Sequence, residues 1–157
     1  MNDVKKWICA LMALMMMFGL AMAETAPVRI GFEEGFMLEL PAGWLYHEVT
    51  EEMAQQGVLY SLSDAEGARQ LSIQSWESDC ESIDALLELV NNASSPAKSG
   101  KYNFNDSEFV VYDLEDSDVS CCATLMDGCI LNFVFTPQSD AEFMVTAAQV
   151  IGSFTLI

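Results

Sequence analysis

Basic side chains are what this sequence most lacks. It holds 6 lysines and arginines against 24 aspartates and glutamates, a formal net charge of -18 over 157 residues, and one histidine, His47. Nucleic-acid binding needs clustered Lys and Arg on the phosphates, so DNA and RNA are excluded as partners. A lone histidine excludes multi-histidine zinc sites within one chain. There is no Gly-x-Ser-x-Gly elbow, no Cys-x-x-Cys pair and no phosphate-cradling glycine loop. No fixed-period repeat and no low-complexity linker divides the chain. Apolar material is not scarce. At 52% hydrophobic and 10% aromatic, the chain carries enough for a core and is not intrinsically disordered.

Residues 1–23 read as an address. Lys5 and Lys6 form a positive start, Trp7 to Leu20 is an apolar run, and Ala21-Met22-Ala23 supplies a small-x-small cleavage pattern before Glu24. The run falls short of the about 20 residues that span a bilayer, and no later stretch approaches that length. The reading is therefore a signal peptide over 1–23 and a single globular domain over 24–157. The mature chain then has four basic residues against 23 acidic ones, net -19. Self-repulsion favours a soluble monomer, secreted or held in the periplasm or cell envelope.

Alternation marks the strands. Val28, Ile30 and Phe32, then Phe36, Leu38 and Leu40, predict two half-buried strands, with Pro41-Ala42-Gly43 ending the second. Trp44–Val49 is extended, and Thr50 caps a short helix over Glu51–Gln56. Val58–Leu62 and Gln70–Trp76 are strands. Ile83, Leu86, Leu87 and Val90 make one helical stripe, with Ser78 and Glu81 at capping-box spacing ahead of it. Ala97–Gly100 reads as an exposed loop. Lys101–Asn105, Glu108–Leu114, Val119–Met126 and Cys129–Phe135 form a second run of strands, with Asp127-Gly128 as a two-residue hairpin turn. A last helix carries Phe143, Ala147, Val150 and Ile151, with Ser139 and Glu142 as its capping box. Consecutive strands pair antiparallel, and the two amphipathic helices must bury their stripes on the sheet. The fold class is α+β.

Phe36-Met-Leu-Glu-Leu-Pro41-Ala-Gly-Trp44 resembles the F-x-L-x-x-P-x-G-W opening of the group that joins PsbP, DcrB and the Mog-type Ran-binding proteins. Phe109–Tyr112, Leu131–Phe135 and the closing helix up to Ser153-Phe154 are similar to that group's second half. The resemblance implies an α/β/α-type sandwich around an antiparallel sheet. The group's members are varied binding or assembly proteins, and it shares no functional residue set that carries over to these positions.

Candidate sites are few. Trp44, Tyr46, Tyr60 and Trp76 lie on the early strands; on a face free of helix they would line a groove for a peptide or glycan, and otherwise they are core. Asp113, Glu115, Asp116 and Asp118 crowd one loop with oxygen-ligand spacing, a weak calcium site at most, since an EF-hand's glycine and distal glutamate are missing. A calcium-dependent adhesion or assembly factor is the corresponding alternative function. Cys80, Cys121, Cys122 and Cys129 are the cysteines of the mature chain. Cys122 and Cys129 share a face but sit four residues apart, at roughly 3.3 Å per residue too far for a bridge. Cys80 with Cys121 or Cys122 is the preferred disulfide, and a thiol-redox role for Cys121-Cys122 is a further alternative. His47 lacks any motif that would make it a catalytic base and reads as a surface or half-buried residue. No reaction, cofactor or ligand follows from the sequence. The expectation is a non-catalytic binding domain meeting a protein, peptide or glycan outside the cytosol.

Overall fold

The computed structural model describes residues 26–157. The signal peptide expected over residues 1–23 lies outside them, and so does the Glu115 side chain. The first half of the described chain runs β1 (Val28–Phe32), β2 (Phe36–Leu40), β3 (Leu45–His47), α1 (Glu51–Gln55), β4 (Val58–Ser63), β5 (Gln70–Glu77) and α2 (Ile83–Ser94). The second runs β6 (Lys98–Phe104), β7 (Ser107–Leu114), β8 (Val119–Met126), β9 (Cys129–Thr136), α3 (Ala141–Gly152) and β10 (Thr155–Leu156).

The fold is α+β, with two antiparallel sheets and, among the described residues, three helices. Seven strands pair in the order β3-β4-β5-β9-β8-β7-β6, and three form a separate sheet in the order β1-β2-β10. The single sheet expected from strand succession is thus two. Pro41 breaks the pairing after β2, and Gly43, at φ 81, turns the chain toward β3 in a conformation that favours glycine.

Alternation along the seven-stranded sheet sorts its side chains onto two faces. On the inner face Phe109 and Val111 of β7, Cys122 of β8 and Leu131, Phe133 and Phe135 of β9 join Phe36, Leu38, Leu40, Phe143, Ala147, Val150 and Ile151. The small sheet and α3 therefore bury their apolar sides there. On the outer face Val110, Tyr112, Cys121, Ala123 and Ile130 meet Leu86 and Val90 of α2. No residue of β3, β4 or β5 belongs to that outer cluster. Helix α2 roofs one half of the outer face and stops.

The hairpin turn is as expected: Asp127 at φ 49 and Gly128 at φ 79 close β8 onto β9, with Met126 opposite Cys129. Both helix starts differ. Helix α2 is capped by Ser82, which accepts from Ala85 N at 3.2 Å, and α3 by Asp140, which accepts from Phe143 N at 3.0 Å. Ser78 accepts instead from Cys80 N within the preceding loop. Lys98–Gly100, expected as loop, are paired strand, opposite Asp113 to Val111. Strand β6 is an edge with one pairing side, so its sequence shows little alternation. Strand β10 was not foreseen: two residues are too few for a pattern. The chain end clamps β2, with Glu39 N donating to Ser153 Oγ at 2.7 Å and Ile157 N donating to the Gly35 carbonyl at 2.9 Å.

Candidate functional site

The four early aromatics do not share a face. Tyr46 stands opposite Leu62, which stands opposite Leu71, so Tyr46 lies on the inner side, 51% exposed at the β3 edge. Trp44 is half-buried beside the Phe143 ring, centroids 6.0 Å apart. Tyr60 packs edge-on against Phe32 at 4.8 Å and donates to Glu34 Oε2 at 2.9 Å. Burial, followed by that carboxylate, pushes its phenol up to about 12. Trp76 is opposite Ile130 and so points outward, 40% exposed. Three of the four belong to the inner layer, and one stands on the uncovered half of the outer face.

That uncovered half is built from facing pairs. Trp76 starts it. Val58, Gln74 and Asn132 form the next row, His47, Ser61, Ser72 and Val134 the next, and Leu45, Ser63, Gln70 and Thr136 the last. No carboxylate and no cation stands in these rows, in a chain with 24 acidic residues. Several groups are held in place. Asn132, 2% exposed, donates to Gln74 Oε1 at 3.3 Å and accepts from the Tyr112 hydroxyl at 3.4 Å. Trp76 lies over Gly57, where a Cβ would come within 2.5 Å of the indole Nε1. Only glycine permits that approach, and its φ of 81 suits it besides.

His47 Nε2 and Ser63 Oγ are 2.7 Å apart, and Ser63 Oγ donates its proton to the Asp64 carbonyl at 2.8 Å. The imidazole is therefore the donor in that pair. A serine nucleophile needs the opposite arrangement, with the ring accepting its proton.

Two carboxylates of the acidic loop are spent internally. Asp113 accepts from Ser120 Oγ at 2.7 Å, and Asp118 accepts from Ser139 N at 2.7 Å and from Ser139 Oγ at 2.9 Å. Asp116 is exposed. Among the described residues no three His, Cys, Asp or Glu side chains converge as a metal site.

The four cysteines among the described residues are free thiols, so the preferred pairing of Cys80 with Cys121 or Cys122 is not formed. Register explains why. Cys80 follows the sheet end where Glu77 faces Cys129, whereas Cys121 faces Val134, five residues further along β9 and so about 16 Å away. Cys121 and Cys122 point to opposite faces. Burial pushes the two thiols up to about 11 and about 12. Such groups are poor thiolates, unlike the activated cysteine of a dithiol enzyme.

Two depressions flank these features. A cleft of about 490 Å³ lies between the start of α2 and the β6–β7 turn, lined by Glu81, Asp84, Lys101, Asp106 and Glu108 among others. A smaller apolar pocket of about 260 Å³ lies between the inner face and α3, lined by Val111, Cys122, Phe135, Met144 and Ile151 with Asp113 at its rim. Neither is lined by an aromatic residue singled out from the sequence.

The fold is PsbP-like. The solution structure of cyanobacterial PsbP (CyanoP) from Synechocystis sp. PCC 6803 is similar over 87% of this chain and 95% of its own, at a TM-score of 0.61 and 16% identity. A crystal structure of a protein from Bacteroides thetaiotaomicron VPI-5482 is similar over 85% of this chain, at a TM-score of 0.52 and 12% identity. This chain spans 49% of that protein. No family model matches the sequence, and no curated protein does. At these identities the likeness is one of fold alone.

Proposed function

We propose that the protein is an exported, non-catalytic binding domain, a single α/β/α-type sandwich acting as a monomer, and that its binding surface is the uncovered half of the outer sheet face. One observation carries the reading: within a strongly acidic chain, His47, Ser61, Ser72, Gln74 and Trp76 form a surface without carboxylate, Lys or Arg, outside the cluster that α2 covers. Uniform negative charge keeps the rest of the molecule dispersed, and a neutral window is where a ligand meets no repulsion. The His47–Ser63 polarity and the raised Cys121 and Cys122 favour binding over hydrolysis or thiol exchange.

Immobilised peptide and glycan libraries, probed with the protein and with a Ser61→Arg/Ser72→Arg double variant, test the binding half. Signals lost in the variant are the expected result. Signals unchanged by it, or none with either protein, overturn the reading. N-terminal sequencing of the exported protein tests the other half: a start at Glu24 is expected, and an intact Met1 overturns it.

A further inference from the structure

We infer that the ligand of this surface is a short neutral oligosaccharide, stacked by one pyranose ring on Trp76; the inference rests on the binding reading above and assigns its ligand class. The geometry supports a sugar in three ways. First, the indole is both open and fixed. It is 40% exposed, and its Nε1–Cδ1 side packs on Gly57, where no side chain fits between. A flat π-face at a set height is what the C–H groups of a pyranose ring lie against.

Second, the rows beside the indole carry uncharged groups that both give and accept hydrogen bonds. Ser61 and Ser72 face each other across β4 and β5, both half-buried. Gln74 is pinned through its Oε1 to Asn132, which turns its NH2 into a free donor of set direction. His47 donates from Nε2 to Ser63 and presents its other ring nitrogen as a further hydrogen-bonding group. Hydroxyls, an amide NH2 and an imidazole match the alternating donors and acceptors of sugar hydroxyls. A phosphorylated or carboxylated sugar finds no cation in these rows and meets a polyanion around them.

Third, the size is wrong for a folded partner. Four strands at about 4.8 Å spacing and four rows about 6.7 Å apart cover roughly 300 Å². A stable protein complex buries about 800 Å² on each partner, with an apolar centre. Here the exposed large apolar side chains are Leu45 and Trp76 alone among the residues of these rows. The area suits two or three sugar rings.

The probes are cellohexaose, maltohexaose and chitohexaose, each titrated into the protein and followed by indole fluorescence and by the Trp76 indole N–H resonance. At least one is expected to bind saturably, with a dissociation constant in roughly the millimolar range. Trp76→Ala should weaken that binding by about tenfold and Gln74→Ala by several-fold, each measured well below the variant's own melting temperature. Trp76→Phe keeps a ring and should retain part of the affinity. No saturable response to any of the three sugars, or affinity unchanged in Trp76→Ala, overturns the inference. Capture of peptides alone through the same face also overturns it, while leaving the binding reading standing.

Discussion

Phe154 is where the two sheets lean on each other. Its ring stacks on Phe36 of the small sheet at 5.6 Å and meets Phe109 and Phe133 of the large one edge-on at 5.2 and 5.9 Å. Truncation removes three aromatic contacts at once and leaves a void that backbone from two sheets cannot close. Phe154→Ala should cost about 3–5 kcal/mol, measured by urea unfolding; a loss below about 1 kcal/mol would show that the sheets are joined elsewhere. At this scale the core was legible in the sequence, because buried positions repeat with the period of their element. Phe143, Ala147, Val150 and Ile151 are all buried as their spacing implied. The candidate site was legible only in part. Aromatics stand out in a sequence, yet Trp44 and Tyr60 serve packing, while the quieter Ser61, Ser72 and Gln74 line the open face. The signal that would have found them is the polar half of the alternation Gln70, Ser72, Gln74 against Leu71 and Ile73.

Among the elements, α3 shows that capping-box spacing does not by itself make a cap. Ser139 and Glu142 have capping-box spacing, but Ser139 gives both its N–H and its hydroxyl to Asp118, so it belongs to the turn before the helix. Asp140 then caps, and it also accepts from Arg69 Nε at 2.9 Å. The Phe143 N–H, followed by Arg69, holds its carboxyl below the usual carboxylate range. A depressed carboxyl stabilises the fold above its unfolded pKa and loses that contribution as pH falls through the folded value. Asp140→Asn should therefore lower the melting temperature at pH 7 and converge with the parent below about pH 3. An equal deficit at both pH values would assign the effect to geometry rather than charge. Strand β6 shows a different device. Lys98 and Lys101 supply half of the four cations of the 24–157 chain, on an edge strand whose free side would otherwise invite another strand. That polar, charged composition is the reason its first three residues read as loop.

Across the whole molecule, the alkaline side sets a limit that composition alone hides. Cys121 and Cys122 rise from an ordinary 9 to about 11 and about 12, and Tyr60 from 10 to about 12, burial being the largest cause in each. An acid whose pKa is raised by folding contributes fully below its unfolded value, and the contribution fades as pH climbs toward the folded one. Stability should thus decline from about pH 9 to pH 12, and Tyr60→Phe should flatten the part above pH 10, read as melting temperature against pH. Identical slopes in parent and variant would remove Tyr60 as a contributor. Order along the chain also has a consequence at this scale. The third strand of the small ribbon is Thr155–Leu156, laid against Phe36 and Met37 well over a hundred positions upstream. Thr155 and Leu156 follow every strand of the large sheet in sequence, so among the described strands the ribbon's second edge is the last pairing that synthesis makes available.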